Sequence, residues 1–173
     1  MARIPYHDLA GLPETLTALI MSRPPLNLYR MLPHAPTLMP GFLEMGRAIR
    51  NATQLDPALR ELVILRTGAL LGAAYEIHQH RRIAQLAGVP GADIDAAVNP
   101  GREAECGADE QLVLRFTDAV VLQQRVPDEL FNQIVDAYQY RGACEILLIA
   151  GFYMMVSRFL ENTGVDIEDK PVF

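Results

Sequence analysis

From Asp56-Pro57 onward the sequence commits to a helix that has no polar face to turn toward water. The aspartate supplies an N-cap acceptor, and the proline brings a fixed φ and a missing N–H to the first helical turn. The residues that follow, Leu62-Val-Ile-Leu-Arg-Thr-Gly-Ala-Leu-Leu-Gly-Ala-Ala, are apolar or small nearly all round. Such a helix belongs in the middle of a bundle rather than on its surface. The pattern therefore predicts a central helix over residues 57–72, with Gly68 and Gly72 on one line with Glu61 and Leu65, where small residues let another backbone come close. No alternation of apolar and polar residues persists beyond a few positions elsewhere, so the fold class is all-α.

A second helix is predicted over residues 75–87 and closed by Gly88 and Pro90. Its residues Glu76, His80, Ile83, Ala84 and Ala87 share one stripe, and His78, Arg81, Arg82 and Gln85 share the opposite one. Two titratable groups thus fall on the apolar side. A glutamate and a histidine one turn apart can hydrogen-bond, which fixes the tautomer of the imidazole and raises its basicity. On an apolar stripe both pKa values shift, which suits proton transfer near neutral pH. Glu61 opens the adjoining helix. From these residues alone, a buried polar network and an active site stay equally open.

Residues 1–52 are punctuated by Pro24, Pro25, Pro33, Pro36 and Pro40, which predicts short helices and turns laid over the main body. The firmest element there is a helix over 38–50, with Phe42, Met45 and Ile49 on one stripe. Tyr29, Arg30 and His34 are expected at the surface. Residues 1–35 accordingly read as a proline-rich extension and residues 36–173 as a single helical domain; 173 residues, half of them apolar, suffice for one substantial core. Beyond a polar stretch over 99–107, helices are expected over 109–124, 127–138 and 143–160, with Gly142 separating the last two.

The net charge of -6 arises from 21 acidic and 15 basic residues, and Lys170 is the only lysine. No basic cluster is large enough to track a phosphate backbone, so nucleic acid is not an expected partner. The longest apolar run, residues 146–156, falls short of the roughly 20 residues that cross a bilayer and reads as a buried helix. No signal-peptide pattern opens the chain, and Cys106 and Cys144 form neither a C-x-x-C pair nor half of a zinc site, so a reducing cytoplasm is the expected setting.

Residues 59–84, Leu-Arg-Glu-Leu-Val-Ile-Leu-Arg-Thr-Gly-Ala-Leu-Leu-Gly-Ala-Ala-Tyr-Glu-Ile-His-Gln-His-Arg-Arg-Ile-Ala, resemble the carboxymuconolactone decarboxylase-like family, which shares its fold with alkylhydroperoxidase D. The carboxyl-terminal stretch with Tyr153, Arg158 and Asn162 is similar to the closing helix of that family. In its thiol-dependent branch a glutamate near the start of one helix is followed by C-x-x-C at the start of the next and by a histidine one turn on. Laid on this chain, the glutamate falls on Glu61, the two cysteines on Ala73 and Glu76, and the histidine on His80. Both thiols are missing, and neither Ala73 nor Glu76 can attack a peroxide or resolve a sulfenic acid.

The resemblance implies an alkylhydroperoxidase D-like bundle completed by symmetric association into trimers or hexamers, and a carboxy-lyase that acts on a small molecule without a cofactor. Decarboxylation beside an unsaturated lactone needs none, because the substrate's own carbonyl accepts the electrons that carbon dioxide leaves behind. On that reading His80 donates the proton, oriented by Glu76 or Glu61, while Tyr75, His78 or Arg66 stabilise the enolate or bind a carboxylate. His78 faces the polar side of its helix, and the other reading of Arg66 is a salt bridge to Glu61 or another core acid. Glu-x-x-x-His alone is too common a pattern to count as a metal site. A peroxidase-like family member without the thiol pair, and a non-catalytic ligand-binding or assembly module, are the alternatives.

Overall fold

A computed structural model describes residues 1–170 and 172–173, and among them every regular element is helical. The chain forms two compact units: residues Met1–Ala52 with Phe159–Phe173, and residues Thr53–Arg158. The 35/36 boundary expected from proline content falls inside the first of these.

The first unit contains α1 (Glu14–Met21), α2 (Asn27–Met31) and α3 (Met39–Ala52). The proline-rich segment is tied to the chain's last residues. The Arg3 N–H donates to Thr163 O at 2.8 Å, the Tyr6 hydroxyl donates to Asp166 Oδ2 at 3.2 Å, and the guanidinium of Arg30 lies 4.5 Å from the centre of the Tyr6 ring. Arg30 and His34 are exposed as expected, whereas Tyr29 is buried. In α3 the buried positions are Met39, Leu43, Gly46 and Ile49, so the inward stripe lies one position away from Phe42 and Met45, which are half-buried.

The second unit is built around α4 (Pro57–Leu71), whose residues 61–68 are all buried and which packs against α5 (Ala74–Leu86), α6 (Gly91–Val98) and α7 (Ala108–Leu122). Both ends of α4 follow from local chemistry. Asp56 Oδ1 accepts from the Ala58 N–H at 2.8 Å, and Gly72 ends the helix at φ +66°, a conformation that glycine adopts without the steric cost of a Cβ. Just upstream, the Glu145 carboxylate accepts the N–H groups of Gln54 and Leu55 at 2.8 and 2.9 Å, which fixes where α4 begins. The helix α6 was not expected from sequence. It is short, starts after Pro90, and buries Ile94, Ala96 and Ala97.

The last two expected helices are joined as α8 (Asp128–Thr163), interrupted only at Gln139, where φ is 59° and ψ is 176°. That region is almost exclusive to glycine and costs on the order of 1–3 kcal/mol for other residues. The break therefore lies three residues before Gly142. Gly142 serves packing instead, since a Cβ there would collide with the Tyr138 side chain across the break. By length and composition α8 is apolar enough to cross a membrane. Its stripe Ile146, Ile149, Ala150, Tyr153, Val156 and Leu160 is buried within the protein, as expected of a core helix.

Candidate functional site

The second unit brings Glu61, Glu76 and His80 together. The helices α4 and α5 pass close to each other at Gly68, where a Cβ would sit in van der Waals contact with Glu76 Cβ at 3.4 Å and Ile77 Cγ1 at 3.5 Å. Across this contact His80 Nδ1 lies 2.7 Å from Oε2 of Glu61, and His80 Nε2 lies 3.4 Å from Oε2 of Glu76. Glu61 is wholly buried, and Glu76 and His80 are 4% and 7% exposed. The ring of Tyr153, from α8, stands edge-to-face against the imidazole with centroids 5.1 Å apart and an interplanar angle of 89°.

The electrostatics assign the proton positions. Burial pushes the Glu61 carboxyl upward, but the charge and hydrogen bond of His80, and then those of Arg60, outweigh it and hold the group below the usual carboxyl range. Glu61 is therefore a carboxylate and can only accept, so Nδ1 of His80 carries the hydrogen and donates it. The ring is thereby oriented with Nε2 turned to Glu76 as the nitrogen that can exchange a proton. The sequence expectation named Glu76 or Glu61 as the orienting group. The shorter bond belongs to Glu61, nineteen residues away, rather than to the i,i+4 neighbour.

The other expected residues are placed differently. Tyr75 is buried on α5, next to Glu76, whereas His78 is exposed on the opposite face. Arg66 is buried, but its donors are directed at α6 and α7. Nε and Nη2 donate to Asp118 at 2.5 and 2.7 Å, Nη2 also pairs with Glu103, and Nη1 reaches the carbonyls of Ala96 and Ala97 at 3.2 and 3.4 Å. It is the core salt bridge that the sequence left open, with Asp118 and Glu103 as the acids in place of Glu61.

Two residues that sequence reasoning did not assign to the site belong beside it. Arg60 donates from Nε to Oε1 of Glu61 at 3.3 Å, and Tyr153 packs on His80. Tyr153 gave a usable signal, a polar-tipped side chain on an otherwise apolar inward stripe, the same signal that singled out Glu76 and His80. The Cys106 thiol is pushed up to about 12, first by burial and then by Asp93, and Cys144 is exposed on α8. Among the described residues no group of three or more His, Cys, Asp or Glu side chains is arranged to hold a metal ion.

Residues 36–119 match the carboxymuconolactone decarboxylase family. No curated protein matches the chain in sequence. Among solved structures, the chain is similar to the alkylhydroperoxidase AhpD core of a peroxidase-related protein from Ralstonia eutropha, with 20% identity, a TM-score of 0.88, and coverage of 97% of this chain and 93% of that one. It is also similar to an AhpD-related protein of unknown function from Agrobacterium tumefaciens, with 15% identity, a TM-score of 0.71, and coverage of 80% and 96%. A third is a cysteine-to-alanine variant of the debrominase Bmp8 bound to 2,3,4-tribromopyrrole, with 17% identity, a TM-score of 0.78, and coverage of 98% and 95%. The family match spans the segment that carries Glu61, Glu76 and His80, and the fold likeness extends over most of the chain, so residues 36–119 are a carboxymuconolactone decarboxylase family segment within a chain that has the AhpD-like helical fold.

Proposed function

We propose that the protein is a cofactor-free acid/base enzyme that acts on a small carboxylated lactone or related carbonyl compound, by decarboxylation or by proton transfer. The observation that carries this reading is the 2.7 Å bond from His80 Nδ1 to a buried, ionised Glu61, which leaves Nε2 oriented for proton exchange beside Glu76. In the decarboxylation, the bond between the substrate's carbon and its carboxylate breaks, carbon dioxide leaves, and the electron pair passes into the conjugated carbonyl as an enolate. His80, protonated on both nitrogens at that stage, delivers the Nε2 proton to the carbon as the enolate collapses, and solvent restores it.

Ala73 and Glu76, where the thiol-dependent branch carries cysteines, favour this reading over peroxide reduction. It is tested on a panel of carboxylated lactones and β-keto acids with the wild-type chain and a Cys106→Ser/Cys144→Ser variant. Carbon dioxide release or C–H exchange at equal rates in both is expected. Peroxide consumption that the double variant loses would overturn it.

The reading includes self-association. Cys144, Leu148, Gly151 and Met155 lie exposed on α8 at successive spacings of four, three and four residues, the pattern of a helix–helix seam, and nothing lies within 4 Å of the position a Gly151 Cβ would take. A second copy of the chain packing there would give the trimer or hexamer that the family resemblance implies. Sedimentation should show such an oligomer and its dissociation in Leu148→Glu; a wild-type monomer at all concentrations would contradict it.

A further inference from the structure

Adjacent residues on a helix point about 100° apart, so the contact between Arg60 and Glu61 is not a by-product of helical geometry. Only 11% of the Arg60 side chain is exposed, and its Nε donates to Oε1 of Glu61 at 3.3 Å. Oε2 of the same carboxylate takes His80 Nδ1 at 2.7 Å. The two oxygens of one wholly buried carboxylate are thus divided between a permanent cation and a titratable ring.

This division matters for the imidazole in two ways. A buried carboxylate draws its compensating charge from its donors, and what Arg60 supplies His80 need not. The guanidinium charge also acts directly on the ring, where it opposes a second proton. Both effects ease release of the proton from His80. Glu76, at Nε2 from its own helix, and the Tyr153 ring from α8 also face the imidazole.

We propose that Arg60 is a positioning residue for this site: by holding Oε1 of Glu61 it fixes the carboxylate against His80 and sets how readily the ring gives up its proton. The consequence for turnover rests on the acid/base reading above, while the coupling itself does not.

The test is an NMR titration of the full chain with labelled histidine, in which the His80 signal is told apart from those of His7, His34 and His78 by its absence in His80→Asn. In Arg60→Gln the His80 midpoint is expected to rise by about one pH unit, and Arg60→Lys, which keeps the charge, should recover most of that shift. If the glutamine variant does not fold, Arg60→Met preserves the apolar stem and carries the same expectation. An unchanged midpoint, a His80 signal that titrates in neither protein, or a loss of melting temperature without a titration shift would overturn the proposal. Where the protein turns over a substrate, the limb of the pH–rate profile governed by His80 should move by the same amount. Turnover that survives in His80→Asn while the Arg60 shift is present defeats the acid/base reading and leaves the coupling standing. An inactive His80→Asn with no Arg60 shift does the reverse.

Discussion

Replacing His80 with asparagine is expected to lower kcat by about 100- to 10,000-fold, the contribution of a single positioned general acid or base, on whatever substrate the wild-type chain turns over. Asparagine can still present an N–H to Oε2 of Glu61, so the buried carboxylate keeps a donor and the α4–α5 contact persists. The ring's second nitrogen, which faces Glu76 at 3.4 Å, is lost. A fall in kcat with KM little changed is expected, the pattern of an interaction made in the transition state rather than in the ground state. A melting temperature close to wild type together with lost turnover would assign the residue to chemistry. Unchanged turnover would remove His80 from it.

Arg66→Met is expected to act in the opposite sense, costing about 3–5 kcal/mol of stability without a specific effect on the acid/base step. Methionine fills much of the volume of the buried stem but donates nothing. Asp118, Glu103 and the carbonyls of Ala96 and Ala97 would all lose a donor at once. Those two carbonyls lie in the last turn of α6, where intrahelical partners run out and a cation is favoured. The loss is a large fraction of the 5–15 kcal/mol that holds a typical domain together, and for a chain of this size it corresponds to a fall in melting temperature of about 10 °C. A change below about 1 kcal/mol, the worth of an exposed pair, would show that the guanidinium is far better solvated than its burial indicates. A selective loss of turnover with stability intact would return Arg66 to the substrate-binding role that the family resemblance implies.

What sequence reading could reach is decided by which interactions are local. The start of α4 was legible because the Asp56 cap and Pro57 act within four residues, and its end because Gly72 alone supplies the left-handed turn. The inward phase of α5 was legible from helical period, and so was the oddity of Glu76 and His80 upon it. The choice of Glu61 as the closer partner was not, because it depends on how α4 and α5 rotate against each other, and Gly68 signals only that they come close. The partners of Arg66 lie 37 and 52 residues away on elements whose docking no local pattern encodes. The break in α8 falls directly after Tyr138, inside the gap expected over 139–142, yet it is Gln139 that adopts the glycine-like backbone while Gly142 makes room for Tyr138. Local propensity and tertiary packing had exchanged positions.

Proton transfer between His80 and a substrate carbon is read by running the lactone and keto-acid panel in D2O and following the recovered substrate and product by NMR. Wild-type protein should place a single deuteron at one carbon with one stereochemistry, and His80→Asn should lose that incorporation. Turnover without deuterium at carbon, or incorporation that the asparagine variant retains at the wild-type rate, would mean that His80 moves no proton at carbon.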